Sequence, residues 1–102
     1  MENKVVLITG SSSGIGAAIA VHLSKIGYKK LALVARRKDR LEEVRKECLE
    51  NGANYVLILV KDLENLKTAE EVIKETIDHF KSLDIVVSNA GKPYGCPTRL
   101  YI

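Results

Sequence analysis

The sequence predicts an α/β fold built on a parallel sheet that is doubly wound. Three observations lead there. Short apolar runs rich in Val, Ile and Leu alternate with stretches whose apolar residues recur at helical spacing. The runs are apolar on both faces, which a sheet covered by helices on both sides requires. The first run passes into the first helical stretch through a turn of glycines and serines. Parallel strands joined through helices need right-handed crossovers, and these produce a doubly wound sheet.

Each element follows from its own pattern. Lys4–Thr9 (KVVLIT) is a β-branched run ended by Gly10 and reads as a buried strand. Gly14–Ile26 carries Ile15, Ile19, Leu23 and Ile26 on one helical face, and Gly27 closes it as a C-cap. Leu31–Ala35 (LALVA) is the second strand. Asp39 to Asn51 holds Leu41, Val44, Cys48 and Leu49 at helical spacing and ends at Asn51-Gly52. Tyr55–Val60 (YVLILV) is the third strand. Leu66, Ala69, Val72, Ile73, Thr76, Ile77 and Phe80 mark a long third helix, and Leu83–Ser88 (LDIVVS) is the fourth strand. The order is βαβαβαβ over residues 1–91, with four strands. Lys92–Ile102 (KPYGCPTRLYI) has two prolines and no clear periodicity and reads as an irregular tail.

The chain has 102 residues, enough for one domain or for half of a larger one. Apolar residues make up 46% and charged residues 28%, a globular composition. The net charge of +3, with both signs spread along the chain, does not suggest a nucleic-acid protein. The run Lys29-Lys30 and Arg36-Arg37-Lys38 with Arg40 lacks the interleaved aromatics of a strand-binding surface. The longest apolar run, Tyr55 to Val60, is six residues, whereas a membrane span needs about 20. The N-terminus lacks the apolar stretch of a secretory signal. Cys48 and Cys96 form no CxxC pair and no metal-ligand spacing, so a reducing, cytoplasmic setting is expected and no metal.

The strongest chemical signal is Thr9-Gly10-Ser11-Ser12-Ser13-Gly14-Ile15-Gly16, between a predicted strand and a predicted helix. Gly10 lets the chain turn sharply. Gly14 removes a side chain where a pyrophosphate would approach the backbone, and Gly16 lets the helix lie close to the sheet. The helix N-terminus offers free N–H groups and partial positive charge to phosphates, and Ser12 and Ser13 add hydroxyl donors. The spacing is GxxxGxG rather than GxGxxG.

TGSSSGIG after an N-terminal strand resembles the cofactor motif TGxxxGIG of the short-chain dehydrogenases/reductases, a family with a Rossmann-type sheet. Asn89-Ala90-Gly91 at the end of the fourth strand matches that family's NAG motif, and Asp62-Leu63 after the third strand matches its acid–aliphatic pair. The three motifs fall in the right order at the right strand ends. The resemblance spans Lys4 through Gly91, about nine-tenths of the chain. It implies a dinucleotide partner. It also implies that Asp62 accepts a hydrogen bond from the adenine amino group, that the Leu63 backbone fixes the ring, that Asn89 steadies the strand end, and that Ala90 and Gly91 let the ribose pass.

The choice of cofactor is read at the end of the second strand. An NAD site places an acid there, about 20 residues past the glycines, to bind the ribose 2′-hydroxyl. Ala35 stands at that place, and Arg36 and Arg37 follow it. An arginine there grips a 2′-phosphate by charge-assisted hydrogen bonds, so NADP(H) is expected over NAD(H); the resemblance, in which a basic residue just after the second strand marks NADP preference, puts Arg36 first and Arg37 second, and the turn decides which of them points inward. The alternatives are that both arginines solvate the loop, and that Asp62 is a helix N-cap.

The resembled family works through a serine and a YxxxK pair. Four residues after Tyr28, Tyr55 and Tyr94 stand Ala32, Leu59 and Thr98, and Tyr101 is next to last. No catalytic residue is therefore assigned. The leading reading is the cofactor-binding part of an NADP(H)-dependent oxidoreductase, not catalytic as this short chain. A fragment, a truncated reading of a gene and a short splice product all fit it. The other readings are a non-enzymatic dinucleotide-binding or interaction protein, and an inactive remnant. A sheet stopping at strand four leaves Ile85–Ser88 as a free edge, to be covered by a homo-oligomer or by a missing C-terminal half.

Overall fold

The computed structural model describes residues 3–10, 14–62 and 66–88, together with the backbone of 99–101. In chain order these form β1 (Val5–Thr9), α1 (Gly14–Lys25), β2 (Lys30–Ala35), α2 (Lys38–Glu50), β3 (Tyr55–Val60), α3 (Leu66–Phe80), β4 (Ile85–Ser88) and β5 (Arg99–Tyr101). The sheet order is β3-β2-β1-β4-β5. The first four strands are parallel, with Thr9 opposite Val34, Ala35 opposite Val60 and Ile8 opposite Val87. This is the doubly wound arrangement that the alternating pattern predicts. The chain builds outward from β1 to β3, then crosses back to lay β4 on the other side of β1. The crevice that such a sheet offers to ligands lies at that reversal, outside the carboxyl ends of β1 and β4.

Strand alternation divides the core between two faces. Val6, Ile8, Leu31, Leu33 and Val87 pack with Leu41, Val44 and Cys48 of α2 and Ala20 of α1. Leu7, Ala32 and Val34 pack with Val72 of α3. The first cluster is the larger, because two helices cover that face and one covers the other.

The phase of α1 differs from the reading of its isoleucines. Its buried residues are Gly16, Ala20 and Ser24, one every four positions, while Ile15 and Ile26 are 57% and 44% exposed. Small side chains let the helix approach the strands closely, and Ile19 and Leu23 fill the flanks. The Ser24 hydroxyl donates to the Ala20 carbonyl at 2.9 Å, so its burial leaves no unmet polar atom. In α3, Val72 and Thr76 are buried, and Ile73 and Ile77 are partly exposed. Leu49 of α2 is likewise exposed.

Two helices stop as their glycines predict. Gly27 has φ 116°, the Tyr28 N–H donates to the Leu23 carbonyl at 3.0 Å, and the Gly27 N–H donates to Ser24 at 3.4 Å. That is the paired closure of a Schellman cap. Gly52, with φ 120°, ends α2 in the same way, the Ala53 N–H donating to the Cys48 carbonyl at 3.0 Å. A Cβ on Gly52 would stand 2.8 Å from the Ser24 carbonyl oxygen, so this turn also needs glycine for space. Helix α3 ends differently, on Lys81 at φ 67°, a left-handed conformation carried by a lysine.

The tail corrects two expectations. Residues 99–101 form a strand rather than irregular chain, and they pair antiparallel with β4: Val86 with Tyr101, Val87 with Leu100, Ser88 with Arg99. The sheet therefore has five strands, and the Ile85–Ser88 edge is not free. Three residues with distant partners give no periodic signal, which is why the two nearby prolines dominated the sequence pattern.

Candidate functional site

The parallel register brings the carboxyl ends of β1, β2, β3 and β4 to one edge of the sheet. The residues that follow those strands therefore gather there: Gly10 after β1, Arg36 and Arg37 after β2, Lys61 and Asp62 after β3. Asn89 is the next residue after β4. It lies outside the described residues, as do Ser12, Ser13, Leu63, Ala90 and Gly91.

Gly10 has φ 68°, the left-handed conformation that turns the chain out of β1 and that glycine adopts without steric cost. Gly14 opens α1, and Gly16, two residues on in the first turn, is buried. Gly14 behaves differently from Gly52. A Cβ built on it meets no heavy atom within 4 Å among the described residues. Packing among the described residues thus gives no reason for glycine there, and glycine is a poor helix former. Ile15 beside it is exposed, pointing no large apolar group into the core.

The two arginines are not equivalent. Arg37 is the N-cap of α2 and provides no side-chain cap, and its Nη2 lies 3.4 Å from Asp39 Oδ2. Both of those side chains are well exposed, so the pair is worth under about 1 kcal/mol. Arg36 is exposed and makes no hydrogen bond or ion pair among the described residues. Lys61, not singled out by any motif, also stands at this edge. Its N–H donates to the Ala35 carbonyl at 3.0 Å, and its ammonium lies 3.6 Å from Glu75 Oε1. Of Arg36, Arg37 and Lys61, only Arg36 lacks a counter-charge among the described residues. Asp62 is exposed, and Leu66, four positions on, is the first described residue of α3.

The opposite edge holds the structural polar contacts. Asp84 Oδ2 accepts the Val5 N–H at 2.8 Å, and the Asp84 N–H donates to the Val5 carbonyl at 3.0 Å, locking β1 to β4. Lys29 Nζ donates to the Gly52 carbonyl at 3.0 Å. Cys48 is a buried free thiol. Burial pushes its pKa up, a hydrogen bond with Ser24 partly offsets this, and the neighbouring Glu47 carboxylate adds to the rise. Among the described residues, no helix is long and apolar enough to cross a membrane, and no group of three or more His, Cys, Asp or Glu could hold a metal ion.

The family described as short chain dehydrogenase matches residues 4–100. The 11-beta-hydroxysteroid dehydrogenase-like 2 protein of Arabidopsis thaliana is 51% identical over 93 residues, which cover 91% of this chain and 30% of that relative. Dehydrogenase/reductase SDR family member 7 of Mus musculus is 41% identical over 95 residues, covering 90% and 28%. Among solved structures, the alcohol dehydrogenase of the archaeon Thermococcus sibiricus complexed with 5-hydroxy-NADP superposes with a TM-score of 0.79 at 42% identity, over 89% of this chain and 38% of that one. A metagenomic short-chain oxidoreductase in complex with NADP gives 0.81 at 29% identity, over 90% and 41%. The chain spans about three-tenths of the length of the curated relatives it matches.

Proposed function

From the premise that the chain belongs to the short-chain dehydrogenase family, whose nucleotide-binding portion it carries, we propose that it binds NADP(H) in preference to NAD(H). One observation carries the preference. Arg36 follows Ala35, where an NAD site would have an acid, and it has no counter-charge among the described residues. A guanidinium in that state keeps its donors for a 2′-phosphate. Arg37 is the second contact, since binding there competes with Asp39. Charge-assisted bonds of this kind are worth roughly 1.5–3 kcal/mol, so one or two shift preference by tenfold to several hundredfold.

The residues fit the rest of the nucleotide. The left-handed Gly10 and the open space at Gly14 suit backbone approach by a pyrophosphate. The first N–H groups of α1, with Ser12, Ser13 and the backbone of Ile15, supply donors, and Gly16 seats the helix against the sheet. Asp62 takes the adenine amino group and Leu63 borders the ring. Asn89, Ala90 and Gly91 border the adenosine ribose. When bound, the nicotinamide cofactor supplies hydride transfer to or from a carbonyl or alcohol carbon. None of the tyrosines in the sequence has a lysine four residues on. We therefore assign this chain binding and orientation of the nucleotide, and no proton transfer of its own.

Calorimetric titration with NADPH and NADH tests the reading. Tighter binding of NADPH is expected. Equal affinities or a preference for NADH would remove the arginine argument, and no binding of either would remove the nucleotide assignment.

A further inference from the structure

The carboxyl ends of β2 and β3 carry two cations side by side. β3 is the outer strand of the sheet, and β2 is the strand bonded to it. The last pair of their ladder is Ala35 with Val60. The Lys61 N–H donates to the Ala35 carbonyl at 3.0 Å, which carries the ladder one residue further and sets Lys61 across from Arg36. Neighbouring strands lie about 4.8 Å apart, and residues alternate between the two faces along each. Ala32 and Val34 of β2 pack on the α3 face with Leu57 and Leu59 of β3, so the next positions in that alternation are Arg36 and Lys61. For Lys61 the placement is direct, since its Nζ lies 3.6 Å from Glu75 Oε1 of α3. Like charges opposed across a ladder are destabilising, so the fold itself gives no reason for this pairing.

We propose that Lys61 is a further specificity-determining residue, which with Arg36 holds the 2′-phosphate of the nucleotide from the β3 side. The inference rests on the nucleotide reading and extends it to a residue outside the three motifs. A phosphate monoester carries nearly two negative charges at neutral pH. Set between a guanidinium and an ammonium, it replaces their repulsion with two charge-assisted contacts. The two groups suit the task differently: the arginine presents a planar fork, and the lysine a point charge on a flexible stem. A ribose 2′-hydroxyl offers neither group a charge, so Lys61 acts on NADP(H) and not on NAD(H). Glu75 competes with the phosphate for the ammonium. At 3.6 Å, with 44% of its side chain accessible, it is a loose partner that a phosphate can displace.

Calorimetric titration of NADPH and NADH against the parent chain and four variants tests it. Lys61→Met keeps the stem and removes the charge, and it should weaken NADPH binding about tenfold while NADH binding stays within about twofold. Lys61→Arg should keep the preference. Lys74→Met removes the same charge from an exposed position of α3 and should change neither affinity. Glu75→Gln should raise NADPH affinity about two- to fivefold and leave NADH unchanged. A parent that favours NADPH, with a Lys61→Met chain that keeps the same ratio, would overturn this inference and leave the nucleotide reading standing. Equal losses from Lys61→Met and Lys74→Met would do the same, by reducing Lys61 to general positive charge. A parent without the preference overturns both. The Glu75→Gln chain decides the matter even where Lys61→Met does not fold, since an NADPH affinity that fails to rise there also overturns the inference.

Discussion

Gly14 and Gly52 are the same residue in opposite circumstances, and replacing each by alanine tests the proposal that the first serves a ligand while the second serves the fold. At Gly14 the added methyl meets nothing within 4 Å among the described residues, and the position is the first of α1. Alanine exceeds glycine inside a helix by roughly 0.5–1 kcal/mol, and the terminal position puts the expectation at the lower end, about 0.5 kcal/mol of added stability. For a domain of this size that is a rise of about 2–4 °C in Tm. The same methyl stands where the pyrophosphate is proposed to approach. Losing one charge-assisted contact there, at roughly 1.5–3 kcal/mol, weakens NADPH binding about tenfold to more than a hundredfold. Gly52→Ala reverses the effect on stability and leaves affinity alone. Its Cβ would stand 2.8 Å from the Ser24 carbonyl oxygen on a backbone at φ 120°. Strain of this kind costs about 1–3 kcal/mol, against a total stability of about 5–15 kcal/mol, and affinity per folded molecule should not change. Urea denaturation and calorimetric titration of both variants read the four outcomes. A Gly14→Ala variant that loses stability would reveal an internal steric role, and one that keeps full affinity would refute the ligand role.

Three further expectations follow from single residues. Arg36→Asp should lower NADPH affinity by tenfold or more while leaving NADH affinity equal or improved, since the carboxylate repels a 2′-phosphate and accepts from a 2′-hydroxyl; equal losses for both cofactors would show that Arg36 acts only as general positive charge. Lys81→Gly should stabilise the chain by about 0.5–1 kcal/mol in thermal denaturation, because the left-handed φ of 67° costs a lysine roughly 1–2 kcal/mol and glycine's greater unfolded freedom returns only part of it; a loss would mean that the lysine side chain holds the end of α3. The pH dependence of stability should carry a Cys48 component: its pKa is raised in the fold above the ordinary 9.0, so its contribution is complete below pH 9.0 and is lost as pH rises from there through the folded value. Urea midpoints should therefore fall less steeply above that pH in Cys48→Ala than in the parent chain, and parallel curves would show that the thiol plays no part.

Much of this architecture was readable from periodicity, and the misreadings have physical causes. The four parallel strands are apolar on both faces, so their pattern is unambiguous wherever a helix separates them. The phase of α1 was not, because two stripes with nearly the same repeat interleave. Ile15, Ile19, Leu23 and Ile26 carry the hydropathy signal, while Gly16, Ala20 and Ser24 make the close contact. Depth of packing is set by the smallness of the facing residues, and smallness has no hydropathy signature. The ordering of Arg36 before Arg37 rested on family pattern, and the geometry adds a reason that sequence could not, the Asp39 carboxylate two residues on. Strand β5 was missed because a strand of three residues is defined by its partner across the sheet, and pairing across the chain is invisible to local pattern.

The polar contacts of the molecule divide between the two edges of the sheet, and the division bears on where a ligand can act. At the amino edge the groups are consumed internally: Asp84 on Val5, Lys29 on the Gly52 carbonyl, the Asn54 and Tyr55 N–H groups on the Lys29 carbonyl, and the glycine closures of α1 and α2. The Asp84 and Lys29 contacts tie strand starts to neighbouring segments, and the glycine closures end the helices that lead into β2 and β3. At the carboxyl edge the side chains of Arg36 and Asp62 make no such bonds among the described residues, the Arg37–Asp39 pair is exposed, and Gly14 faces open space. A sheet fastened at its amino edge holds the carboxyl ends of β1, β2, β3 and β4 in register without spending the side chains of Arg36 and Asp62. Those side chains can then engage a nucleotide, and the strand starts need not move when they do. Mutations at the amino edge should accordingly lower stability with little change in affinity per folded molecule, and mutations at the carboxyl edge should do the reverse.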